Sequence, residues 1–72
     1  MNEETLLKKI IADKKIMLGK PVIRGTRLTV EMVSDKAAFG ATFDEIKNDY
    51  PFLTDDDIRA ALLYASKLTS DS

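Results

Sequence analysis

A small, mainly α-helical domain with a three-helix helix-turn-helix outline and a short N-terminal β element is the fold class this sequence predicts. Three observations predict it. Two capping boxes, Thr42-Phe43-Asp44-Glu45 and Thr54-Asp55-Asp56-Asp57, mark helix starts in the C-terminal half. Apolar residues recur three and four apart behind each of them, the spacing of one helix face. The segment Gly19-Lys20-Pro21-Val22-Ile23-Arg24-Gly25-Thr26-Arg27 concentrates two glycines, a proline and three cations, a mixture that a packed helix has no use for.

Along the chain, Leu6, Leu7, Ile10 and Ile11 fit a helical stripe, while Ile10 to Ala12 also suits a strand, and periodicity does not decide between them. The reading adopted is a strand near Lys9 to Ala12, a single turn around Lys14 to Met17 and a second short strand near Arg27. A short amphipathic segment can precede them. Such strands do not stand alone; they pair with each other or across a homodimer interface. Between them Gly19 to Arg27 reads as an ordered basic loop, in which Pro21 biases Lys20 toward an extended backbone and Val22-Ile23 suits a short strand or a loop anchor. Thr29 caps the first helix of the outline, with Leu28 and Val33 as a staple, a stripe of Val30, Val33 and Ala37, and Gly40 as terminator. The second helix starts at Thr42, carries Phe43, Ile46 and Tyr50 on one face and ends at Pro51. The third starts at Thr54 with Leu53 and Ile58 as its staple, and its stripe is Ile58, Ala61, Leu62, Ala65 and Leu68. Residues 1–72 thus form a single domain: a basic β and loop part over about 8–28, a three-helix part over about 29–68, and a frayed tail over 69–72.

With 72 residues, one core barely offsets the entropy of ordering the chain, roughly 1.5 kcal/mol per residue, so help from a partner is expected. Cysteine and histidine are both absent. That removes disulfides, thiolate zinc sites, the commonest metal ligand and the usual acid/base at neutral pH. The serines and threonines have no histidine or cysteine to activate them, so no catalytic residue is assigned and no enzyme is expected. No cofactor is expected either: the basic loop lacks the Gly-Lys-Ser/Thr of a Walker loop. The acid clusters Asp44-Glu45-Asp49 and Asp55-Asp56-Asp57 lack EF-hand spacing, so no metal site is assigned. No apolar run spans a membrane and Met1-Asn2-Glu3-Glu4 opens with acids, which predicts a soluble cytoplasmic protein.

The net charge of −1 conceals an asymmetry. Up to Leu28, seven cations (Lys8, Lys9, Lys14, Lys15, Lys20, Arg24 and Arg27) face three acids, a balance of +4; from Thr29 onward four cations face nine acids, a balance of −5. A polyanion is therefore drawn to the first part and repelled by the second. A recognition helix meets DNA with its N-terminal turn, which here is Asp55-Asp56-Asp57. Those acids read as capping and helix-dipole stabilisers instead. The candidate site is accordingly Lys20, Arg24, Gly25, Thr26 and Arg27. The two arginines suit bidentate contact with phosphate or carboxylate, and Gly25 allows close backbone approach; Lys8, Lys9, Lys14 and Lys15 support them.

Gly19-Lys20-Pro21-Val22-Ile23-Arg24-Gly25-Thr26-Arg27-Leu28 with Val30, then Phe43-Asp44-Glu45-Ile46, Asp49-Tyr50-Pro51, Leu53-Thr54, Asp57-Ile58-Arg59-Ala60-Ala61-Leu62 and Tyr64-Ala65, resembles the bacterial family catalogued as domain of unknown function 433. The resemblance covers about Ile10 to Lys67. It implies a helix-turn-helix domain of winged-helix or homeodomain-like type and a VapB-like antitoxin of a type II toxin-antitoxin pair. Two activities are implied: neutralising a PIN-like nuclease toxin, and binding operator DNA to repress its own operon. The alternative is a protein-interaction module, toxin-binding or dimerising, without DNA binding. Lys14 stands where the family often has a proline, and little sequence follows the third helix, so toxin contact is expected on the folded surface.

Overall fold

Side-chain caps decide where the helices begin. The computed structural model of the chain describes residues 2–70, with side chains through residue 68. Asn2 caps α1 (Glu3–Leu7) by accepting from the Thr5 N–H at 2.8 Å. Thr29 caps α2 (Val30–Ala38) by accepting from the Met32 N–H. Both predicted capping boxes form. Thr42 and Glu45 exchange bonds of 3.1 and 3.0 Å ahead of α3 (Phe43–Asp49), as do Thr54 and Asp57 ahead of α4 (Asp55–Ser70). Gly40 follows α2 with φ of +95°, a left-handed backbone that glycine adopts without steric cost.

The domain is mainly helical, with four helices and one two-stranded antiparallel sheet among the described residues. The fourth helix is α1, the amphipathic start. β1 (Ile10–Ile11) falls within the predicted first strand, but its partner does not lie near Arg27. β2 is Val22–Ile23, pairing Ile10 with Ile23 and Ile11 with Val22. The chain then turns through Arg24 and Gly25, closed by the Thr26 N–H on the Ile23 carbonyl at 3.0 Å, and returns so that Thr29 bridges Val22. Arg27 lies on the return arm, because the positive φ of Gly25 (+82°) reverses the chain before it.

A turn does occupy the region predicted for one. The Ile16 N–H reaches the Asp13 carbonyl at 2.8 Å. A second, left-handed turn follows over Met17–Gly19, with φ of 48° at Met17, 58° at Leu18 and 84° at Gly19. The two side-chain-bearing residues are strained there by about 1–2 kcal/mol each.

The core joins Ile23, Leu28, Val30, Val33, Ile46, Leu53, Ile58 and Ala61, and Val22 is fully buried as well. Val22 and Ile23 thus anchor the basic loop in the core. Both predicted staples, Leu28 with Val33 and Leu53 with Ile58, are buried. α4 lies against both α1 and α2. Ala60, outside the predicted stripe, is buried, while Leu68, inside it, is 59% exposed. α4 also continues through Thr69 and Ser70, which were expected as tail; Asp71 and Ser72 lie outside the described residues.

Candidate functional site

Cations divide sharply by position in this fold. From Thr29 onward each is paired: Lys36 with Asp49 at 2.9 Å, Lys47 with Asp55 at 2.7 Å, Arg59 with Asp56 at 3.0 Å, and Lys67 with Glu3. Before Thr29 the one ion pair among the described residues is Lys9 with Asp57, at 3.5 Å. Lys8, Lys14, Lys15, Lys20 and Arg27 are exposed and carry no ion pair. The sequence asymmetry therefore survives folding in sharper form, since the internal pairs consume the later cations and leave the early ones to solvent.

Each predicted site residue takes a distinct place. Arg24 serves the fold: its backbone N–H bonds the Lys9 carbonyl at 2.7 Å and its Nε donates to the Lys8 carbonyl at 3.0 Å. These are carbonyls just past the end of α1, where orphan acceptors attract cations. The four remaining guanidinium N–H groups are available to a ligand. Thr26 shapes the turn. Its hydroxyl donates to the Ile23 carbonyl at 2.8 Å and accepts from the Leu28 N–H at 3.0 Å, which uses its single proton internally. Among the described residues the N–H groups of Gly25 and Arg27 make no hydrogen bond. Lys20, Arg24 and Arg27 do not share one depression. Arg24 borders a hollow with Lys8, Lys9 and Asp57, Arg27 borders one with Ile16, Gly25 and Thr26, and Lys20 stands at the lip of a third beside α2 and α4.

A Cβ placed on Gly25 would meet nothing within 4 Å, so the glycine is required by its backbone angle rather than by crowding. Gly25→Ala is expected to cost about 1–2 kcal/mol in urea unfolding. Gly25→Asn, which tolerates the left-handed region, should cost less.

The acids of α4 are engaged within the fold. Asp55 pairs with Lys47, Asp56 with Arg59, and Asp57 with both Lys9 and the Thr54 N–H. Asp55 Oδ1 is shut off from water, and the ammonium of Lys47 is its partner. The Lys47 ammonium beside it holds the Asp55 carboxyl below the usual carboxylate range, and the Thr42 backbone N–H does the same for Glu45. Asp55 and Asp49 in turn raise Lys47 and Lys36. Carboxyls with lowered native pKa values contribute stability above their unfolded values and lose it as pH falls through the native ones. The melting temperature is therefore expected to hold down to about pH 5 and to fall below about pH 4. Lys47→Gln, measured by the same melts, should flatten that acid limb.

What sequence reasoning did not find is apolar. Leu18 is 93% exposed and Phe39 91%. No periodic signal marks either residue, and Leu18 owes its position to the left-handed turn. Among the described residues no helix is long and apolar enough to cross a membrane.

A family model described as "Protein of unknown function (DUF433)" matches residues 10–65, which takes in both strands, the basic loop and the helices from α2 into α4, leaving α1 outside. Among solved structures the chain is similar to the crystal structure of a DUF433 member protein from Anabaena variabilis ATCC 29413. The TM-score is 0.81 at 28% identity, over 94% of this chain and 67% of that one. No curated protein matches the chain.

Proposed function

The chain belongs to the DUF433 family of proteins of unknown function, and from that membership and the layout of its free cations we propose that it is a cytoplasmic antitoxin that binds operator DNA and a PIN-like nuclease toxin. One observation carries the DNA reading: the cations without an ion pair all lie between residues 8 and 27, whereas every later cation is neutralised internally. A duplex presents a dense row of phosphates, and such a surface gains affinity by releasing the counterions condensed on them. Arg27, with the free backbone N–H groups beside it, supplies a bidentate cation and two neutral donors for one phosphate.

In this reading α3 and α4 form a helix-turn-helix pair of winged-helix or homeodomain-like type. Its N-terminal α4 turn stays off the bases because its acids are committed to Lys9, Lys47 and Arg59. The toxin arm rests on the family resemblance. Exposed Phe39 and Phe52 favour the second reading, an interaction module that binds a protein without DNA.

The test is a titration of labelled duplex from the region upstream of the chain's own gene, at low salt. Saturable binding that weakens with salt is expected. A flat curve removes the DNA arm and leaves the interaction module, which co-purification with the product of the neighbouring reading frame then tests.

A further inference from the structure

The left-handed turn at Met17–Gly19 pushes Leu18 almost wholly into water, at 93% exposure, and strains two side-chain-bearing residues to do so. Beside it, Pro21, Val30, Ala65 and Leu68 line an apolar groove of about 300 Å³ between the loop and the helices α2 and α4. Lys20 and Glu31, of opposite charge, also border this groove. Leu18 precedes Pro21 by three residues, so knob and hole lie at most about 10 Å apart along the backbone.

We propose that this face is the interface of a two-fold homodimer, in which Leu18 of each copy enters the groove of the other. A second copy is the occupant because the face is self-complementary. It carries a knob and a hole side by side and one charge of each sign, and a two-fold axis pairs each with its counterpart. Lys20 then meets Glu31 of the mate, which leaves Lys8, Lys14, Lys15 and Arg27 as the free cations. The inference gives the homodimer that the sequence allows a specific surface. It rests on that dimer and uses neither DNA nor toxin, so its failure leaves the DNA reading standing.

Sedimentation equilibrium of the full chain from about 1 μM to 1 mM tests it. Wild type is expected to reach twice the monomer mass. Leu18→Asn keeps a residue that tolerates the left-handed backbone, and Ser34→Trp fills the groove; each should weaken the dimer at least tenfold, with circular dichroism confirming that the helices are retained. Lys20→Glu should weaken it as well, and the double exchange Lys20→Glu with Glu31→Lys should restore it. A wild type that stays monomeric, an assembly that grows beyond two copies, a dimer that Leu18→Asn or Ser34→Trp leaves unchanged, or a double exchange that restores nothing would each overturn the proposal.

Discussion

Ile58→Ala is expected to lower the melting temperature by about 15–25 °C, the largest stability effect of any single truncation considered for this domain. Ile58 is fully buried one turn into α4 and shares the core with Val33, Ile46, Leu53 and Ala61. Removing its branched side chain forfeits its transfer energy and leaves a cavity that close-packed neighbours cannot fill, a loss of about 3–4 kcal/mol. A domain of this size has only about 4–11 kcal/mol in total. The substitution also breaks the staple with Leu53 that fixes the entry of α4, the helix packed against both α1 and α2. Leu68→Ala, on the same helix but exposed in the monomer, should cost far less than Ile58→Ala when both are melted at low concentration, where the monomer is compared with the monomer. Thermal melts followed at 222 nm compare the two directly.

The second large effect concerns binding. Replacing Lys14, Lys15 and Arg27 together with alanine is expected to weaken duplex DNA binding by roughly 10²- to 10³-fold near 0.1 M salt. Each cation lost removes about 0.9 from the slope of log affinity against log salt, or roughly five- to tenfold in affinity. None of the three side chains makes an ion pair or hydrogen bond within the fold, so the variant should melt within a few degrees of wild type. Arg24 is a poor choice for this experiment, because its Nε bond to the Lys8 carbonyl makes Arg24→Ala a structural change too. Fluorescence anisotropy with a labelled duplex gives both the affinity and its salt slope.

How much of this was legible in the sequence followed how local the cause was. The caps at Thr29, Thr42 and Thr54 form as the sequence predicts because each depends on residues within four positions. The second strand was misplaced at Arg27 because the direction of the chain after Ile23 depends on a single backbone angle at Gly25. Leu68 was assigned to the core because its spacing is right. It lies instead at the groove shared with Pro21 and Val30, where it stays 59% exposed. The left-handed turn was invisible, since Met17 and Leu18 adopt it only where their surroundings impose it. Within the candidate site, the excess of cations is legible in the sequence but its division is not. That Lys9 is paired with Asp57 and Arg24 holds the end of α1, while Arg27 is free, depends on contacts between residues far apart in the chain.

The central claim is that the unpaired cations of residues 8–27, rather than the chain's overall charge, form the binding surface. Arg27→Ala and Arg59→Ala change the net charge equally, but Arg27 is unpaired whereas Arg59 is held by Asp56 and lies over the Phe43 ring. The salt dependence of duplex binding should therefore be measured for wild type and both variants under the same conditions. The account predicts that Arg27→Ala lowers the slope by about 0.9 and that Arg59→Ala leaves it at the wild-type value. Equal losses in the two variants, or no binding by wild type at low salt, would contradict it.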